Sequence, residues 1–281
     1  MTSPSRRLDV TLCAVDCVSP ALAAKALRKS LSGMSFADVY LLTDAEIITD
    51  VPTRLISSLQ SRDAYSSFML RDLVEFVRTS HVLVVQWDGF ILDPKRWSSD
   101  FLKVDYIGAR WGWFNDGMTV GNGGFSLRSR KLLEAAADVF SNINIVANED
   151  VLICRDYRAQ LEQRFDVVFS SPDMADRFSY ERTPPALPTF GFHGLFNFWR
   201  HLPDDELLAL LAQLPPTIFK GREYLELLLK YLSDRKFQVA TTMFRQLNIY
   251  EQPQETVARL TVLLHDPNRS KKIVDFLSNI S

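Results

Sequence analysis

The chain has 281 residues, 47% of them hydrophobic and 11% aromatic, enough to bury a main core of about 200 residues with an appendage and unlike a disordered or fibrous protein. A formal net charge of −2 argues against a general polyanion-binding surface, so nucleic acid is not an expected partner. Three cysteines, Cys13, Cys17 and Cys154, are too few for a disulfide framework, and with four scattered histidines they lack zinc-site spacing, which fits a reducing cytoplasm.

Residues 1–7 read as a flexible, polar N-terminus without the apolar core of a signal peptide. No apolar run reaches the roughly 18 residues of a membrane span, which limits any membrane contact to a peripheral one. Residues 8–15 read as a strand and Pro20 to Leu31 as a helix opened by Ser-Pro. Val39 to Leu42 reads as a second strand ending at Thr43 and Asp44. From Ser66 to Thr79, Phe68, Met69, Leu73, Phe76 and Val77 recur at helical spacing, and the unbroken apolar run Val82 to Val85 reads as a strand covered on both faces. This alternation predicts an α/β fold with a mostly parallel, Rossmann-like sheet and helices on both faces. A strand-like Asp105 to Gly108, a loop rich in Trp and Gly, a glycine-dense segment from Val120 to Arg128 and helices near 130–140 and 149–163 complete a domain expected over 8–202. Beyond Pro203 the pattern becomes Leu-rich and helical (206–214, 222–232, 237–247, 255–264 and 271–277). Residues 203–281 therefore read as an all-α C-terminal appendage of three to five short helices that either caps the main domain or mediates self-association.

Several residues stand where chemistry is possible. Asp88 follows the apolar strand, at the end where open α/β sheets bind ligands, and Gly89 allows close approach of a ligand to the backbone, or the two form an ordinary Asp-Gly turn. Asn148 can cap a helix whose first turn holds Glu149 and Asp150; these carboxylates either steady the helix or place a general base in a cleft. Gly121, Asn122, Gly123 and Gly124 lack the Lys-Ser/Thr of a P-loop. They form either a tight turn or a backbone surface whose N–H groups meet hydroxyl or phosphate oxygens. His193, between glycines, is either structural or a neutral ligand that completes a divalent-metal site with Asp88 and diphosphate oxygens. Arg71 is a candidate partner for a carboxylate or phosphate, or belongs to a solvated helix face. His81, His201 and His265 carry no supporting context.

Five blocks occur in order between residues 84 and 194. They are Val84-Val85-Gln86-Trp87-Asp88-Gly89-Phe90, Asp105-Tyr106-Ile107-Gly108-Ala109, Gly121-Asn122-Gly123-Gly124-Phe125-Ser126-Leu127-Arg128, Glu149-Asp150, and Phe190-Gly191-Phe192-His193-Gly194. Together they resemble nucleotide-sugar-dependent glycosyltransferases of the GT-A fold, and more narrowly an uncharacterised glycosyltransferase-like family with this signature, over roughly residues 8–200. The resemblance implies a nucleotide lying over Ala14, Val15, Asp16, Thr43 and Asp44, with Gln86, Trp87 and Arg71 on the donor side. It implies a divalent cation, Mn²⁺ or Mg²⁺, held by Asp88 and His193, although Gln86 replaces the first carboxylate of the usual Asp-x-Asp motif. The glycine segment and Trp111, with Trp113 and Phe114 as a stacking lid or as core, would meet the sugar and acceptor. Asp150, beside Glu149, would be the base of an inverting transfer to a hydroxyl of a glycan or glycoconjugate. The expected setting is bacterial surface-polysaccharide biosynthesis in the cytoplasm, at most peripheral to the inner membrane. Two alternatives stand beside it: a non-catalytic glycan- or nucleotide-binding subunit, and a sugar nucleotidyltransferase, for which residues 14–32 lack a glycine-rich triphosphate loop.

Overall fold

β1, Leu8–Val15, lies at the centre of the fold because its side chains are apolar on both faces: Val10, Leu12 and Ala14 enter one core layer, and Cys13 and Val15 the other. A computed structural model describes residues 7–280. Residues 1–6 of the expected flexible terminus lie outside the described residues, while Arg7 donates from Nε to the Phe36 carbonyl at 3.0 Å. β1 is followed by the helix Pro20–Ser30, β2 (Phe36–Thr43) and β3 (Thr53–Leu55). Then come β4 (His81–Val85), β5 (Phe90–Ile91), β6 (Tyr106–Ile107), β7 (Phe125–Ser129), β8 (Ser179–Tyr180) and β9 (Gly191–Phe192).

The main sheet has six strands in the order β3-β2-β1-β4-β7-β6. β3, β2, β1 and β4 are parallel; β7 runs antiparallel to β4, and β6 antiparallel to β7. The helix Pro20–Ser30 covers one face through Ala23, Ala24 and Leu27. On the other face, Phe68, Met69 and Leu133 from the helices Arg62–Arg71 and Arg130–Phe140 pack on Cys13, Val82 and Val84. Burial on both faces is why β4 reads as an unbroken apolar run. A second sheet, β5-β9-β8, has three short strands.

Some elements differ from expectation. The helix foreseen over 66–79 is two pieces, Arg62–Arg71 and Leu73–Phe76, parted at Asp72 (φ −107°); the Ser61 hydroxyl starts the first early by capping it at the Ala64 N–H (3.1 Å), and the second stops at Val77, which is extended. β3, entirely exposed, has no apolar signature. The helix foreseen over 149–163 is broken into a turn at Glu149–Val151, a π-helical stretch at Leu152–Asp156 and the helix Arg158–Phe165.

The chain divides into two compact units between His193 and Gly194, ahead of the boundary expected at 203. In the second unit, the 3₁₀ segment Leu195–Arg200 is followed by helices at Asp204–Leu211, Pro216–Phe219, Arg222–Ser233, Phe237–Leu247, Pro253–Leu264 and Pro267–Ile280. Buried leucines and Tyr224, whose hydroxyl donates to the Met243 carbonyl at 2.9 Å, tie the third of these to the fourth. No described helix is long and apolar enough to cross a membrane.

Candidate active site

The parallel strands deliver their carboxyl ends to one edge of the main sheet. β1 leads to Asp16, β2 to Asp44, and β4 to Gln86, Trp87 and Asp88. The chain leaves β1 to build β2 and β3 on one side and returns to place β4 on the other, so a switch point opens between β1 and β4, the usual ligand crevice of such sheets. Asp16 Oδ1 accepts the N–H groups of Val18 (2.8 Å) and Ser19 (2.6 Å). Burial pushes the Asp16 carboxyl above its ordinary range; those two bonds pull it back, and the charges of Asp88 and Asp44 add to the rise. Three carboxylates therefore feel one another across this edge.

The remaining residues expected at the nucleotide differ in what they offer. Ala14 and Val15 are buried in the core layers, so only their backbone can face a ligand. Thr43 is fully buried with no hydrogen-bond partner for its hydroxyl. Asp44 accepts a hydrogen bond from Ser58, and Trp87 is half-buried against the core layer of β1. Arg71 has its guanidinium committed within the protein. Its guanidinium donates to the carbonyls of Phe140 (2.8 Å) and Ile143 and to Ser67 Oγ (3.0 Å), closing the C-terminal end of the helix Arg130–Phe140. An arginine satisfying terminal carbonyls acts as a structural device, the second of the two readings open to it from sequence.

The small sheet completes the site. A tight turn, with Gly89 N–H donating to the Gln86 carbonyl at 3.1 Å, carries the chain from β4 into β5. β5 pairs with β9 (Phe90 with Phe192), and β9 with β8 (Phe192 with Tyr180). The residues next in line, Asp88 and Gly89, His193 and Glu181, are thereby brought together. His193 Nε2 lies 3.1 Å from Asp88 Oδ1 and 3.2 Å from Gln86 Oε1, and its Nδ1 lies 3.4 Å from Glu181 Oε1. Gln86 in turn donates from Nε2 to the Tyr65 hydroxyl at 3.1 Å. Burial alone would depress the imidazole, but the Asp88 and Glu181 carboxylates outweigh it and hold the His193 pKa well above its ordinary value. Nothing in the sequence singles out Glu181, because a two-residue strand pairing has no periodic signal.

Once the His193 ring has given up its Nε2 proton, this donor set fits a divalent cation. Cis ligands of an octahedral ion with bonds of about 2.1 Å lie about 3 Å apart, close to the 3.1 and 3.2 Å separating Nε2 from Asp88 Oδ1 and Gln86 Oε1. Among the described residues no group of three or more His, Cys, Asp or Glu side chains is placed to hold a metal ion by itself. A cation here would thus take the rest of its coordination from a ligand's oxygens and water, as Mg²⁺ commonly does.

The glycine segment serves a different end from the one its composition suggests. A Cβ at Gly121 would fall 2.2 Å from the Trp111 ring, one at Gly123 2.1 Å from Glu149 Oε1, and one at Gly124 2.1 Å from His193 Nε2. The glycines are required because protein side chains, rather than a ligand, lie against these α-carbons. Asn122 takes the left-handed conformation at φ +63°. The Gly123 N–H donates to Asp150 Oδ2 at 3.0 Å. Trp111 is 5% exposed and packs in the core with Phe114, whereas Trp113 is 57% exposed. Trp111 is therefore a core residue rather than a sugar platform.

The two carboxylates of the acidic turn part company. Glu149 is buried and accepts from Arg128 Nη2 at 2.9 Å, with Arg128 fully enclosed beneath the glycine segment. It is a structural anion, which corrects its expected catalytic role. Asp150 is partly open; beyond the Gly123 bond it accepts its neighbour Val151's N–H at 2.8 Å. Burial, then the Glu149 charge, push its carboxyl up to about 6, against the pull of the Gly123 bond and Arg128. A carboxylate so poised suits general-base work near neutral pH. The π-helical stretch that follows lets Arg155 hold the loop ahead of the glycines, through Asp116 (2.6 Å) and the Met118 carbonyl (2.8 Å).

No curated protein matches the chain. Among solved structures, a glycosyltransferase involved in the glycosylation of the major capsid of PBCV-1 is 14% identical, with 66% of this chain and 91% of that one covered and a TM-score of 0.42. The apo-form glycosyltransferase GlyE of Streptococcus pneumoniae TIGR4 is 14% identical over 65% of this chain and 53% of its own, so this chain spans about half its length, with a TM-score of 0.38. The mannosyltransferase PcManGT from Pyrobaculum calidifontis, solved with GDP-Man and Mn²⁺, is 11% identical over 98% of this chain and 86% of its own, with a TM-score of 0.39. Residues 50–193 match the model of a family described as protein of unknown function (DUF5672).

Proposed function

The chain belongs to the DUF5672 family, and within that family of unknown function we propose that it is a nucleotide-sugar-dependent glycosyltransferase of GT-A type, inverting and assisted by a divalent cation. The observation that carries this reading is the pairing, at one sheet edge, of a cation-compatible set (Asp88, His193 and Gln86) with a carboxylate whose pKa is raised to about 6. Two such centres are what displacement of a diphosphate by a hydroxyl requires.

In this mechanism the donor lies in the crevice between β1 and β4, with the nucleotide towards Asp16, Thr43 and Asp44. A bound cation would neutralise the charge that develops on the departing diphosphate. Asp88, Gln86 and His193 fix the place of that charge. Asp150 takes the proton of the acceptor hydroxyl, whose oxygen attacks the anomeric carbon opposite the leaving group and inverts it. The Gly123 N–H and the rigid glycine segment hold Asp150 in place, so that little reorganisation accompanies proton transfer. Trp113, exposed beside Phe114, is the aromatic surface open to an acceptor sugar. We place the reaction in the synthesis of a surface glycan or glycoconjugate at the cytoplasmic side.

The test is thermal unfolding against nucleoside diphosphates and nucleotide sugars with and without Mn²⁺, followed by an assay of diphosphate release with candidate hydroxyl acceptors. The expected result is a metal-dependent rise for one base, about 2.7 kcal/mol at 100 times the dissociation constant, and turnover that Asp150→Asn lowers by about 10² to 10⁴. Binding without turnover for any acceptor would favour a glycan- or nucleotide-binding subunit. No rise with any nucleotide would overturn both.

A further inference from the structure

We infer that Glu181 is a positioning residue for the cation site: it holds the His193 ring so that Nε2 faces Asp88 and Gln86. This rests on the glycosyltransferase reading of the site. The arrangement comes from backbone register. Tyr180 is paired with Phe192 across the parallel β8 and β9, so the two strands release Glu181 and His193 side by side. Glu181 Oε1 sits 3.4 Å from Nδ1 while Nε2, at the opposite side of the ring, sits 3.1 Å from Asp88 Oδ1.

An imidazole offers a lone pair at Nε2 only when its proton is on Nδ1, and a carboxylate accepting that proton selects this tautomer. The ring is confined elsewhere as well. Its Nε2 edge lies against the α-carbon of Gly124, its Cδ2 lies beside Gly89, and the Asn122 amide is 3.2 Å from Nδ1. Asn122 Oδ1 accepts the Phe125 N–H at 3.4 Å, which turns its Nδ2 towards the ring and favours a lone pair at Nδ1, so the Glu181 carboxylate is the contact that must outweigh Asn122 when a cation takes Nε2. Glu181, at 13% side-chain exposure, is a carboxylate removed from most of its water, a cost that pairing with the imidazole offsets.

The experiment titrates Mn²⁺ into the full-length chain in the presence of UDP or GDP, reading bound Mn²⁺ by electron paramagnetic resonance and the imidazole by nitrogen modulation of the spin echo. Glu181→Ala is expected to weaken Mn²⁺ binding about 10- to 100-fold. Glu181→Gln, whose amide oxygen still accepts the Nδ1 proton, retains most of the affinity and the nitrogen signature. His193→Ala removes that signature. If Glu181→Ala binds as tightly as the parent with the same modulation while His193→Ala does not, Glu181 has no positioning role and the transferase reading survives. If Gln weakens binding as much as Ala, the charge rather than the proton contact matters and the inference is wrong. Failure of the parent chain to bind Mn²⁺ with either nucleotide removes this inference together with the cation assignment.

Discussion

Replacing Asp150 by Asn separates a catalytic carboxylate from a structural one, because the fold and the reaction respond to it with opposite signs. The Asp150 pKa is raised from 3.8 to about 6 by burial and by Glu149, a shift of roughly two units, or about 3 kcal/mol at about 1.4 kcal/mol per unit. A folded-state pKa above the unfolded value means that the protonated form is the one the fold favours. Its contribution to stability is complete below pH 4 and is lost as pH rises through 6. Asparagine cannot ionise, so it escapes that loss, but its single oxygen cannot serve both the Gly123 and Val151 N–H groups as the carboxylate does, a deficit of about 1 kcal/mol. Relative to the parent, Asp150→Asn should therefore be about 0.5 kcal/mol less stable at pH 4, where the parent has already begun to lose its advantage, and about 2 kcal/mol more stable at pH 8, with the crossing between pH 4 and 6. Urea or thermal unfolding across pH 4–8 measures this, with a midpoint gain of several degrees expected at pH 8. Turnover should fall by about 10² to 10⁴, the usual worth of a general base. A variant that is destabilised equally at every pH would refute the strained-carboxylate account, and one that keeps full turnover would refute the base assignment.

Other substitutions probe the neighbouring parts. Glu149→Gln leaves Arg128 buried without its counter-charge and should cost about 3–5 kcal/mol in unfolding free energy; a nearly neutral result would show that the pair is not the anchor of the acidic turn. Gly124→Ala drives a methyl into the His193 ring, so calorimetry with Mn²⁺ and a nucleoside diphosphate should record a loss of affinity larger than that of Gly117→Ala, which strains its own backbone at φ +83° but meets nothing within 4 Å. Trp111→Ala should destabilise by about 3–5 kcal/mol as a core deletion, while Trp113→Ala should stay within about 0.5 kcal/mol and alter only acceptor binding. Arg71→Ala should lower the unfolding midpoint and leave nucleotide affinity unchanged; weaker nucleotide binding would return Arg71 to the donor site.

What the sequence determined by itself was whatever depends on contacts near in the chain or on unbroken burial. The apolar residues of β1 and β4, and the Ser-Pro opening of the helix Pro20–Ser30, carry their own periodicity and turn chemistry, so strands, helix and α/β alternation were legible. Asp16, Asp44 and Asp88 were locatable at strand ends for the same reason. Only tertiary structure decided which polar groups meet. Arg71 bonds to carbonyls about 70 positions away, and Arg128 reaches Glu149 beneath the glycines, so neither is available to a ligand; neighbouring sequence gives no hint of either. The three glycines read as ligand-facing backbone because composition reports that space is needed at the α-carbon and not what fills it. Glu181 reached the site through a strand pairing only two residues long, too short to leave a pattern. The division of labour between Glu149 and Asp150 had the same origin: adjacent and alike in sequence, they differ because one side chain turns into the protein to meet a buried guanidinium and the other stays at the edge, where desolvation raises its pKa.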